Sequence, residues 1–180
     1  RYLGGVDWYE ANDRFGMDHA IYVSPGYTYD DGDRANWTAE RRDAEPSPDG
    51  SRRWDATITT PRGMLHHAGA YNEITGWTTE YLLKTPADFE IWNEFYPVPT
   101  GIDFTSIRQA REKLGDRGIL RSHPFSPGQG SPWQSFCTLV GTEKAIWLAM
   151  DEPEFVHHAL ERIVRKTLRV TEMWKGTPAD

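Results

Sequence analysis

Residues 115–141, GDRGILRSHPFSPGQGSPWQSFCTLVG, constrain the fold most, because a short apolar run, a glycine- and proline-rich loop and a helix start follow one another directly. Gly118, Ile119 and Leu120 predict the start of a buried strand. Polar groups gather past its C-terminal end, first Arg121, Ser122 and His123, then Ser126, Gln129 and Ser131. Parallel α/β folds place their chemistry at that end of a strand. Gly128 and Gly130 flank Gln129 and predict backbone conformations closed to other residues, with N–H groups turned toward a ligand ahead of a helix beginning near Pro132. An ordinary strand-to-helix connection accounts for the same residues, and the pattern alone does not separate the two readings.

The rest of the chain supplies a frame for this loop. Residues 20–24, AIYVS, read as a strand stopped by Pro25 and Gly26, with Ser24, Tyr27 and Tyr29 near its end. Residues 30–53 are polar and predict a solvated excursion; the DDGD run lacks the ligand spacing and closing glutamate of an EF-hand loop. Residues 54–71 alternate as a β-hairpin turning at Pro61, Arg62 and Gly63. His66 and His67 then fall on opposite faces and cannot share one ion.

Thr85, Pro86, Ala87 and Asp88 form a helix start, with Phe89, Trp92 and Phe95 or Tyr96 on one side and Pro97 and Pro99 as the stop. Asp103 is expected to cap a helix that carries Ile107, Ala110 and Leu114 inward and ends at Gly115. Thr142 opens another helix, and Pro153 opens the longest. That last helix repeats Val156, Ala159, Leu160, Ile163, Val164, Thr167 and Leu168 at helical spacing, a stripe expected to lie on a sheet. His157 and His158 beside it read as packing and surface residues.

A formal net charge of -7 argues against a duplex nucleic-acid partner, which needs a basic face. No apolar run reaches the 18 or so residues of a membrane span, and the single cysteine, Cys137, excludes an intrachain disulfide and a cysteine-rich zinc site within residues 1–180. A cytoplasmic protein with neither nucleic acid nor membrane as partner is expected. The order of elements predicts a mixed α/β fold with a parallel sheet. Because both polar loops follow buried strands, Ser24, Tyr27, His123, Gln129 and Trp133 are expected to face one pocket and bind a small-molecule substrate. No catalytic residue is assigned, and no metal is expected within these residues.

Four stretches in order resemble the uroporphyrinogen decarboxylase superfamily. They are Phe15-Gly16-Met17-Asp18, Thr60-Pro61-Arg62-Gly63-Met64-Leu65, Leu83-Lys84-Thr85-Pro86-Ala87-Asp88, and Ser131-Pro132-Trp133 followed by Gly141-Thr142-Glu143 and Asp151-Glu152-Pro153-Glu154. The resemblance implies the N-terminal half of a TIM-type (β/α)8 barrel with a β-hairpin excursion, residues 1–180 forming one partial domain whose N-terminus and C-terminal half are missing, with Ala179 and Asp180 opening the next strand. Such a fragment would expose an edge and dimerise or aggregate. The family includes a tetrapyrrole decarboxylase and corrinoid-linked methyltransferases. In the decarboxylase an aspartate follows the serine that Ser24 matches; Pro25 stands there, and Thr138 stands where a tyrosine is expected. The resemblance therefore favours a methyltransferase passing a methyl group from a corrinoid protein to a thiol or related acceptor, with zinc and corrinoid serving the whole protein rather than this chain. A decarboxylase-type lyase acting on a tetrapyrrole is the first alternative. A carbohydrate-binding or non-catalytic barrel is the second, since 8 Trp and 8 Tyr offer flat faces for sugar rings.

Overall fold

The computed structural model describes residues 5–128, 130–177 and 179. The fold is mixed α/β, with strands β1 (His19–Tyr22), β2 (Gly26–Thr28), β3 (Thr38–Asp43), β4 (Arg52–Thr60), β5 (Gly63–Tyr71), β6 (Gly76–Glu80), β7 (Gly101–Asp103) and β8 (Gly118–Arg121). The helices are α1 (Trp8–Phe15), α2 (Asp31–Ala35), α3 (Pro86–Phe95), α4 (Thr105–Leu114), α5 (Pro132–Val140), α6 (Thr142–Asp151) and α7 (Pro153–Thr171), followed by a 3₁₀ turn at Glu172–Trp174.

Three separate sheets result. β1 and β8 pair in parallel, Tyr22 opposite Arg121, while the short β2 and β7 pair antiparallel. The largest sheet is antiparallel, in the order β3-β4-β5-β6. Strand β8 stops at Arg121, and Pro124 beyond it has no N–H to give a ladder and restricts the residue before it. No closed barrel forms among the described residues, and Ala179 is not in a strand; Asp180 lies outside them.

The parallel ribbon buries one face. His19, Ile21 and Leu120 turn inward onto Ile107 and Leu114 of α4, with Tyr9 and Trp174 at the margin. Asp13 clasps the start of both strands, meeting Nε2 of buried His19 and Nη1 of Arg117 at 2.7 Å each. The other face, with Ala20, Tyr22, Ile119 and Arg121, is exposed.

The hairpin turns through Pro61 and Arg62, with Gly63 at φ 137, and Ile58 and Leu65 pair across it on the buried face. Gly69 is required in β5, since a Cβ there would stand 2.5 Å from Cζ2 of Trp54 and 2.8 Å from the carbonyl oxygen of Trp77. The expected excursion is exposed along nearly all of its length but is not a plain loop: residues 30–53 contain α2, capped by the Asp30 carboxylate on Gly32 N–H at 2.8 Å, and the edge strand β3. All six β3 residues are exposed, so charges sit on both faces and no alternation marks the strand.

The main core lies between this sheet and the helices. Ile58 and Leu65 join Phe89 and Trp92 of α3, Phe136 and Leu139 of α5, Ala145 of α6, and Val156, Ala159 and Ile163 of α7. Each large side chain there contributes about 1.5–3 kcal/mol by leaving water. The helix stripe was expected on a sheet, but α7 packs chiefly against α5, α6 and the aromatic pair of α3, and Leu168 is exposed. Helices α3, α5, α6 and α7 bury one another's apolar faces, and among the described residues Ile58 and Leu65 are the buried strand residues that join them. Thr85 caps α3 through a reciprocal box, accepting from the Asp88 N–H at 3.2 Å while the Asp88 carboxylate accepts from the Thr85 N–H at 2.9 Å. α4 begins one residue later than expected, Asp103 taking the Thr105 N–H at 2.9 Å.

Candidate functional site

Chain direction in the parallel ribbon brings two loops to one end. The segment after β1 carries Ser24, Pro25 and Tyr27, and the segment after β8 carries His123, Phe125 and Ser126; together with Tyr22 and Tyr29 they line a cleft of about 600 Å³. Each loop is pinned. Ser106 of α4 donates to the Ser24 carbonyl at 2.8 Å, and the hydroxyls of Ser126 and fully buried Ser135 lie 2.9 Å apart.

Aromatic side chains shape the walls. Tyr22 and His123 face each other with ring centroids 5.2 Å apart, and Tyr27 meets Phe125 edge-on at 6.1 Å. The Tyr27 hydroxyl, the Ser122 hydroxyl and the indole N–H of Trp174 are buried without a partner in hydrogen-bond geometry. Burial pushes the pKa of Tyr27 up, opposed by the nearby indole of Trp174, so the phenol keeps its proton and remains a donor. Desolvation raises Tyr29 in the same way. Among the described lining residues there is no carboxylate. The cleft is a set of neutral hydroxyls and one imidazole framed by rings, suited to an organic ligand that presents acceptors.

Of the five residues singled out in the sequence, Ser24, Tyr27 and His123 come together in this cleft. Gln129 lies outside the described residues. Trp133 stands in the first turn of α5, 6.1 Å from Phe136, and is not part of the cleft lining. Period-two alternation along the β1 segment carries Tyr22 to the same side as Ser24, a signal legible in the sequence, whereas no local pattern marks Phe125. Gly128 also acts differently from expectation, since it has no positive φ. Gly128 is small because a Cβ there would stand 2.9 Å from Cα of Ser135; Gly130 has open space.

His66, His67 and His158, off the cleft, hold local pairs. His66 Nδ1 lies 2.9 Å from Glu80 Oε2, His67 packs edge-on to Trp54 at 5.1 Å, and His158 lies 3.5 Å from Glu90. Among the described residues no group of three or more His, Cys, Asp or Glu converges, so a zinc ion has no ligand set there. No helix is long and apolar enough to cross a membrane.

No family model, curated protein or solved structure matches the chain.

Proposed function

We propose that the cleft across the ends of β1 and β8 binds a small organic ligand, in a protein of the uroporphyrinogen decarboxylase superfamily for which this chain supplies the N-terminal part of a (β/α)8 barrel. The observation that carries the reading is the parallel β1–β8 pair with its polar side chains gathered at the C-terminal end, the position of substrate sites in such barrels. The exposed face of Ala20, Tyr22, Ile119 and Arg121 would then look into the barrel interior.

Within that family the reading is methyl transfer from a corrinoid protein to a thiol or related acceptor. Pro25 borders the cleft where the decarboxylase carries an aspartate, and with no carboxylate among the described lining residues, the N–H groups of a tetrapyrrole lack an ionised acceptor. The described residues do not fit the zinc of the methyltransferases, and no step is assigned to it. What they supply is binding: Tyr27 and Tyr29 donate hydrogen bonds, Ser24 and His123 offer both donor and acceptor, and Phe125 excludes water from one side.

Two assays on the protein test this. With methylcobalamin and a small thiol, loss of the cobalt–carbon absorbance should depend on the protein and fall in Tyr27→Phe and His123→Ala. Release of carbon dioxide from uroporphyrinogen would overturn the branch, and saturable sugar binding without either reaction would support a non-catalytic barrel instead.

A further inference from the structure

Beside the cleft, and sharing Tyr29 with it, lies a second cavity of about 470 Å³ between α2, the start of β3 and the end of α3, bordered by Arg34, Trp37 and Tyr96. Its walls are aromatic and fixed: Trp37 and Tyr96 meet edge-on at 5.4 Å, and Tyr96 packs on Trp92 at 5.2 Å. Its polar groups are mainly donors. Burial pushes the Tyr96 phenol up to about 12 and also raises Tyr29, so both stay protonated, and neither hydroxyl bonds to another described residue. Arg34 is exposed and makes no ion pair with a described carboxylate, including Asp31 and Asp33 on its own helix.

Aromatic walls alone suit a cation or any flat ring, and a guanidinium alone suits any anion. Together they discriminate. A quaternary ammonium would meet the Arg34 charge, a bare inorganic anion would leave the rings unused, and a flat ring bearing a negative group uses both. We propose that this cavity binds a planar aromatic carboxylate, its ring against Trp37 and its carboxylate on the guanidinium of Arg34 with the Tyr96 and Tyr29 hydroxyls as further donors. This does not rest on the function assigned to the neighbouring cleft.

Calorimetric titration with indole-3-carboxylate and its neutral counterpart indole-3-carboxamide tests the assignment on the intact protein. The carboxylate should bind at least about tenfold more tightly, the scale of one charge-assisted hydrogen bond. Arg34→Gln should abolish that preference without changing the melting temperature, Arg34→Lys should restore part of it, and Tyr96→Phe should weaken the carboxylate several-fold. Equal binding of acid and amide, absence of carboxylate binding, an unchanged preference in Arg34→Gln, or tighter binding of phenyltrimethylammonium would each overturn the proposal.

Discussion

Tyr22 closes strand β1, and its ring lies 5.2 Å from that of His123, two residues beyond the end of the parallel strand β8. The contact joins segments distant in sequence exactly where the ribbon stops. It gives the cleft one firm wall, because parallel pairing of Tyr22 with Arg121 sets the height at which the two rings meet. Tilted ring pairs of this kind are worth about 0.5–1.5 kcal/mol beyond their buried area, enough to orient an exposed imidazole that has no hydrogen bond or ion pair to another described residue.

Replacing Tyr27 with Phe should leave the protein as stable as the wild type or up to about 1 kcal/mol more stable, because the lost hydroxyl is buried without a partner in hydrogen-bond geometry. Urea denaturation reads the difference. A loss larger than about 1 kcal/mol would mean that the indole N–H of Trp174 is bonded to that hydroxyl after all.

Gly69→Ala places a methyl group against Trp54 and the Trp77 carbonyl and should cost about 1–3 kcal/mol. Gly130→Ala meets nothing within 4 Å among the described residues and should stay within about 0.5 kcal/mol of wild type. Thermal unfolding of the two variants side by side checks the contrast; equal effects would contradict the packing at Trp54.

Acidification should weaken the fold through His67. Its pKa is held below the ordinary 6.5 first by burial, then by the charges of His66, Lys84 and Arg41. With the folded value below the unfolded one, the unfolded chain takes up the proton first, so the contribution is complete above 6.5 and declines as pH falls from there toward the folded value. Because the ring is only half-buried, the slope is shallow. Glu80, lowered mainly by its bond from Lys84 and next by that from His66, acts below its ordinary 4.5, a separate window. Stability measured from pH 7.5 to 5.5 should therefore slope in the wild type and flatten in His67→Gln; identical slopes would remove His67 as the cause.

Ile119 stands exposed on the open face of the ribbon beside Tyr22. Parallel sheets ordinarily have both faces covered, so this chain should bind a hydrophobic dye there. Ile119→Ser should lower dye fluorescence without lowering the melting temperature. Unchanged fluorescence would point to another patch, such as Ile146, Trp147 and Met150 on α6.

Much of this frame was legible where local chemistry and burial agree. The hairpin was readable over 54–71 from alternation and its turn residues, two residues short of its start at Arg52, α3 from its capping box, and β1 and β8 from compact apolar runs ended by proline or polar residues. Strand β3 was hidden because charged residues occupy both of its faces, and β2 and β7 because three residues carry no period. The stripe on α7 showed which side turns inward but not what would meet it, since helices and sheets satisfy an apolar face alike. Ser24, Tyr27 and His123 were readable as one group from chain direction alone; Tyr96 and Arg34 were not, because the cavity they share depends on where an unrecognised edge strand begins.

The pairing of residues 19–22 with 118–121 is the longest closure between strands of the fold, whereas β3 to β6 close through neighbouring hairpins. Loop entropy favours the hairpins first and the distant ribbon afterwards. The cleft therefore exists only where that distant ribbon is closed, so a ligand lodged between Tyr27 and His123 acts as a latch on the finished molecule. It would slow escape from the native state while leaving the early search for that state untouched.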